Sequence, residues 1–93
     1  ISVYRSHDLS LAEAQGKVDD IISDIKDDFG NLVSTIKWNS DKTVADVAGK
    51  GFTGKFTVNA EQVGIEISLK LFAKPLKGKV QGKVEERIVK YFG

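Results

Sequence analysis

Apolar residues recur along this chain with two different periods. Between Leu11 and Phe29 the spacing is helical: Leu11, Ala14, Val18, Ile21, Ile22, Ile25 and Phe29 fall within roughly 100° of arc, with Glu13, Asp20, Asp24 and Asp27 on the far side. Ser10 and Glu13 form a capping box at the start, and Gly30 supplies a left-handed stop. One side of this helix must be buried.

Elsewhere the period is two. Ile1 to Arg5 alternates and predicts a short strand. Leu32, Ile36 and Trp38 alternate with Val33, Thr35 and Lys37 up to a turn at Asn39-Ser40-Asp41. A further strand runs from Thr43 to Ala48, with Val44 and Asp46 on one side and Ala45 and Val47 on the other, before Gly49-Lys50-Gly51 reverses the chain. Phe52, Gly54, Phe56 and Val58 share one side of the next strand. After Asn59-Ala60-Glu61, Val63, Ile65, Ile67, Leu69 and Leu71 alternate with Gln62, Gly64, Glu66, Ser68 and Lys70, so the sheet has one apolar and one polar face. Pro75 pre-sets the first turn of a second helix, in which Leu76, Val80, Val84, Ile88 and Tyr91 fall within roughly 120° of arc. Gly78 and Gly82 interrupt it, each at about 1 kcal/mol relative to alanine. The order β-α-β-β-β-β-α predicts a single α+β domain over residues 1–93, an antiparallel sheet of four to five strands with two helices packed on one face.

Composition agrees with one domain: 93 residues at 41% hydrophobic content can build a real core. The lack of cysteine excludes disulfides and thiolate zinc sites. No apolar run approaches the roughly 20 residues that span a bilayer, and no targeting h-region is present; a cytoplasmic setting is the default expectation. The chain begins at Ile1 rather than Met, which leaves a removed upstream segment, a cleaved signal included, as an open alternative. The net charge of +1 conceals a split. Asp8 to Gly30 holds seven acids against two lysines, whereas Lys70 to Gly93 holds seven bases against two acids.

Candidate chemistry is sparse. His7 is the chain's one histidine, and beside Asp8 it could act as a base; the competing reading is a junction residue that bonds to backbone. Asp19, Asp20, Asp24, Asp27 and Asp28 lack the alternate acids, central glycine and terminal glutamate of a calcium loop, so they read as a solvated helix face, and neither a metal nor a cofactor is expected. On the second helix Lys79, Lys83 and Lys90 share a flank within roughly 40° of arc. That flank implies an anionic counterpart: the chain's own acidic helix, solvent, or an anionic membrane or polymer surface. Nucleic acid fits least, because the polar sheet positions Thr53, Lys55, Thr57, Glu66 and Ser68 offer no stacking aromatics. Gly78, Gly82 and Val89 form a strip where a second backbone can approach, which suggests a homodimer. Phe29, Trp38, Phe52 and Phe56 on the apolar face suggest a carrier for a small acyl-type ligand between sheet and C-terminal helix, against the simpler reading of a filled core.

His7-Asp8-Leu9-Ser10 with Glu13-Ala14, Phe29-Gly30, Trp38 before a polar turn, Gly51-x-x-Gly54 and Val63-x-Ile65-x-Ile67-x-Leu69 together resemble the polyhydroxyalkanoic acid system protein family over nearly the whole chain. The resemblance implies a small bacterial protein grouped with polyhydroxyalkanoate metabolism, without established catalytic residues. A non-enzymatic accessory role is expected from it, with docking to storage-polymer granules or to proteins on them. Gly78 and Gly82 lie outside the motifs that carry the likeness.

Overall fold

A computed structural model describes residues 1–93. It contains β1 (Ser2–Ser6), α1 (Leu11–Phe29), β2 (Val33–Trp38), β3 (Val44–Gly49), β4 (Phe52–Val58), β5 (Gln62–Leu69) and α2 (Lys77–Phe92), with 3-10 turns at Gly30–Leu32 and Leu71–Leu76. The five strands form one antiparallel sheet in the order β1-β5-β4-β3-β2. The expected α+β architecture and element order are therefore present.

Both helices lie on the same sheet face. Ala14, Val18, Ile21, Ile22 and Ile25 of α1 and Val84 and Ile88 of α2 are buried in one cluster with Ala45, Val47, Phe56, Val58, Val63, Ile65 and Ile67 of the sheet. The opposite face is polar, and its register places Lys37 opposite Asp46, Asp46 opposite Lys55, and Lys55 opposite Glu66. Opposite charges on neighbouring strands favour this alignment, and a slip by one residue would turn the apolar set to water.

Local chemistry sets the boundaries. The Ser10 hydroxyl accepts from the Glu13 N–H at 3.2 Å, the N-cap half of the expected capping box, and donates to the Glu13 carboxylate at 3.1 Å, so that carboxylate meets the Ser10 hydroxyl instead of the Ser10 N–H. At the other end Gly30, at φ +44°, donates its N–H to Lys26 O. Asn39 Oδ1 accepts from the N–H groups of Thr43 and Val44, closing the β2–β3 turn. Gln15 ties that turn to α1 by donating to the carbonyls of Asp41 and Lys42.

Four details differ from the expectation. A bulge between Val33 and Thr35 shifts the phase of β2, so Val33 packs against the core with Ile36 and Trp38 instead of opposing them. β5 ends at Leu69, and Leu71 is exposed on the following turn rather than on the apolar sheet face. Pro75 lies within the 3-10 turn, and α2 starts only at Lys77, so Leu76 stays exposed outside the core. Asp24, expected on the solvent side of α1, is half-buried against α2, where it accepts from the Tyr91 hydroxyl.

Gly49 is required by close approach, because an added Cβ would lie 1.8 Å from Leu32 O and 2.5 Å from the Phe52 ring. Gly78 and Gly82 are the reverse: a Cβ at either meets nothing within 4 Å. Gly49→Ala is expected to cost about 3 kcal/mol, because backbone has to move, whereas Gly82→Ala should gain about 1 kcal/mol from helix propensity. Urea melts of the two variants check this, and a Gly49→Ala chain as stable as the parent would contradict the packing of the β3–β4 hairpin.

Candidate functional site

The acidic and basic ends of the chain meet in a seam between the helices. α1 and α2 run antiparallel, with Asp28 facing Arg87 and Asp24 facing Tyr91 and Lys90. Arg87 Nη2 donates to both Asp28 oxygens, at 3.0 and 2.9 Å, while its Nε reaches Asp28 Oδ2 at 3.3 Å. These two side chains are only 17% and 20% exposed, so this fork is better shielded from water than an ordinary surface pair. Tyr91 OH donates to Asp24 Oδ2 at 2.7 Å, and Lys90 Nζ lies 3.7 Å from the same oxygen and 5.1 Å from the centre of the Tyr91 ring.

The electrostatics follow from these contacts. The Tyr91 hydroxyl, supported by the charges of Lys90 and Arg87, holds the Asp24 carboxyl below its usual value, against an opposing desolvation effect. The same hydrogen bond raises Tyr91, whose ionisation would leave two anions in contact. Arg87 is strengthened as a cation, mainly by Asp28.

Arg87 does not stand out by spacing among the basic residues of α2. At about 100° per residue it falls inside the apolar arc of α2, and Asp24 and Asp28 fall about 40° apart beside Ile21. A charged residue within an apolar arc, facing acids on another helix flank, is the signal that finds this seam.

The basic flank is divided by the seam. Lys90 is drawn to Asp24, whereas Lys79 and Lys83 make no ion pair. Gly78, Gly82 and Val89 all lie on exposed helix surface, so the two glycines serve no packing within the molecule.

The four aromatic candidates are not brought together. Phe29 and Phe52 line an apolar cleft, with Ile25, Leu69, Ala73 and Val80 among its other walls. Phe56 is buried in the central core, and Trp38 borders a separate polar depression with Gln15, Asp19 and Lys42. The cleft has about 40 Å³ of free space. That admits a water-sized probe, whereas an engineered cavity that takes benzene has about 150 Å³ and ligand pockets usually have about 300–1,000 Å³.

His7 is a junction residue in this fold. Its Nδ1 accepts from the Leu9 N–H at 3.1 Å, its Nε2 lies 2.8 Å from Asn59 O, and its ring packs on Phe92 at 5.8 Å between centroids. With Nδ1 as acceptor, Nε2 carries the proton and donates. Both nitrogens are thereby engaged in holding the β1–α1 junction against the β4–β5 turn.

Compared with known families, residues 1–92 match a model described as "Putative polyhydroxyalkanoic acid system protein". No curated protein and no solved structure gives a significant match.

The seam carries a pH signature. Because the folded state lowers the Asp24 value, its stabilisation is present above the unfolded carboxylate value of about 4 and is lost as pH falls further. The raised Tyr91 value works in the opposite sense: its stabilisation is present below about 10 and is lost as pH rises through the folded value. Asp24→Asn should lower Tm near pH ~7 and flatten the fall of Tm between pH ~5 and pH ~2. Parallel acid limbs for variant and parent in thermal melts would remove Asp24 from this account.

Proposed function

The chain belongs to the polyhydroxyalkanoic acid system protein family, and from that premise we propose that it is a non-enzymatic, cytoplasmic accessory protein that docks on polyhydroxyalkanoate granules or on proteins at their surface. The observation that carries this reading is the distribution of unpaired charge. Between Glu66 and Glu85 the chain holds Lys70, Lys74, Lys77, Lys79 and Lys83 without a single acid. None of the five is held by an ion pair, while Arg87 and Lys90 are engaged with α1. A basic surface left free after the internal pairs are made suits an anionic counterpart. His7, the natural candidate for an acid-base role, has both ring nitrogens occupied, which favours a binding role over chemistry.

A second reading, a carrier of an acyl-type ligand, has the apolar cleft in its favour. Its space would have to grow several-fold, by movement of the Leu71–Leu76 turn, before a chain could enter. Mass spectrometry of an organic extract of protein purified from its host tests this directly. A stoichiometric acyl species would favour the carrier, and an empty extract would count against it; Trp38 fluorescence is unsuitable because Trp38 does not line the cleft.

For docking, the protein is expected to pellet with isolated polyhydroxyalkanoate granules at low salt and to be released at high salt, where exposed charges are screened. Combined Lys79→Glu and Lys83→Glu should weaken granule binding by about tenfold or more, given about 1 kcal/mol per lysine near an anionic surface. Protein that stays in the supernatant at both salt concentrations would overturn the reading.

A further inference from the structure

We propose that Leu71 and Phe72, framed by Lys70, Lys74 and Lys77, form a preformed insertion element whose target is a lipid surface bearing anionic headgroups. The inference rests on the docking reading above and supplies its contact residues and the chemistry of the surface. Leu71 is 81% exposed and Phe72 74%, the two most exposed large apolar side chains of the molecule, and Leu76 beside them is 42% exposed. Single exposed apolar residues are ordinary, but two adjacent ones at the tip of one turn form a patch that water solvates poorly.

The turn is braced in the position that exposes them. Lys70 donates its N–H to Gly51 O at 2.7 Å, Ala73 donates to Lys70 O at 2.9 Å, and Ala73 itself is buried. Gly51, at φ +87°, has no side chain, and a Cβ there would crowd Ala73 Cβ at 2.9 Å and the edge of the Phe72 ring at 3.0 Å, so the glycine lets the turn pack closely on the β3–β4 reversal. Pro75 fixes one further dihedral inside the turn. The outward display of Leu71 and Phe72 is thus part of the folded state, and binding need not first order this segment.

Charge selects the surface. Every ionisable side chain on the turn is a lysine, and the adjoining Gly49-Lys50-Gly51 reversal adds Lys50. Lys74 and Lys77 border a shallow depression with Ser68 and Leu69 at the end of β5, where no acid stands. Apolar side chains at a tip with ammonium groups around them match an interface in which hydrocarbon lies beneath a layer of anions. A second copy of the chain is a poor occupant, because symmetric contact through this tip would oppose like lysines.

The test uses the full chain with vesicles of phosphatidylglycerol mixed into phosphatidylcholine, vesicles of phosphatidylcholine alone, and isolated granules in parallel. The parent should sediment with the anionic vesicles and far less with the neutral ones, and Phe72→Trp should shift its emission to the blue only with the anionic set. Combined Leu71→Ser and Phe72→Ser should reduce partition about a hundredfold while leaving the thermal melt intact, since both side chains are exposed. Lys70→Gln with Lys74→Gln and Lys77→Gln should abolish the preference for phosphatidylglycerol. Equal partition of parent and the serine variant would overturn the proposal, as would a parent that ignores anionic vesicles. If granules are still bound in either case, the docking reading survives without this element; vesicle binding without granule binding would leave the element standing and remove the docking reading. Concentration-dependent self-association of the parent that the serine variant abolishes would reassign the patch to a second copy.

Discussion

One face of a five-stranded sheet has to be removed from water, and one helix is too narrow to do so. Neighbouring strands lie about 4.8 Å apart, so five of them span about 20 Å, whereas a helix with its side chains is about 10 Å wide. α1 buries five residues against the sheet, and α2 adds Val84 and Ile88 to the same cluster. Two helices on one face must touch, and what they bring to the line of contact becomes part of the problem of covering the sheet.

The chain meets that demand with opposite charges. Uncharged side chains along the contact would also exclude water, but the Arg87–Asp28 fork and the Tyr91–Asp24 hydrogen bond set the position of α2 along α1 as well. The remaining lysines are a consequence. Once Arg87 and Lys90 are drawn into the seam, the basic excess of the C-terminal third falls on the turn after β5 and the first half of α2. The free positive charge and the two most exposed large apolar side chains therefore come to lie on one turn.

The glycines divide along the same line between internal and external needs. Gly49 is fixed by the carbonyl of Leu32 and the ring of Phe52, and Gly51, at φ +87°, leaves room for Ala73 and the Phe72 ring of the turn after β5. Gly78 and Gly82 face open space, where they weaken α2 without easing any contact in the molecule. Gly49, in contrast, bears directly on the fold.

Periodicity by itself determined the element order, the apolar faces of β4 and of β5 as far as Leu69, and the α1 core stripe from Ala14 to Ile25, because burial on one side leaves a repeat of 3.6 or 2. The Ser10–Glu13 cap and the Asn39 and Asn59 turns were legible for a similar reason, since their hydrogen bonds close within a few residues. The bulge that turns Val33 inward depends on pairing with β3, and only the tertiary structure decided it. The same holds for the scattering of Phe29, Trp38, Phe52 and Phe56, which the apolar pattern groups together but the fold distributes between a cleft, a polar depression and the central core. The partners of Asp24, Asp28 and Arg87 are nearly 60 residues or more apart in the chain. Their pairing is set by how two helices settle side by side, and a local pattern contains no record of that distance.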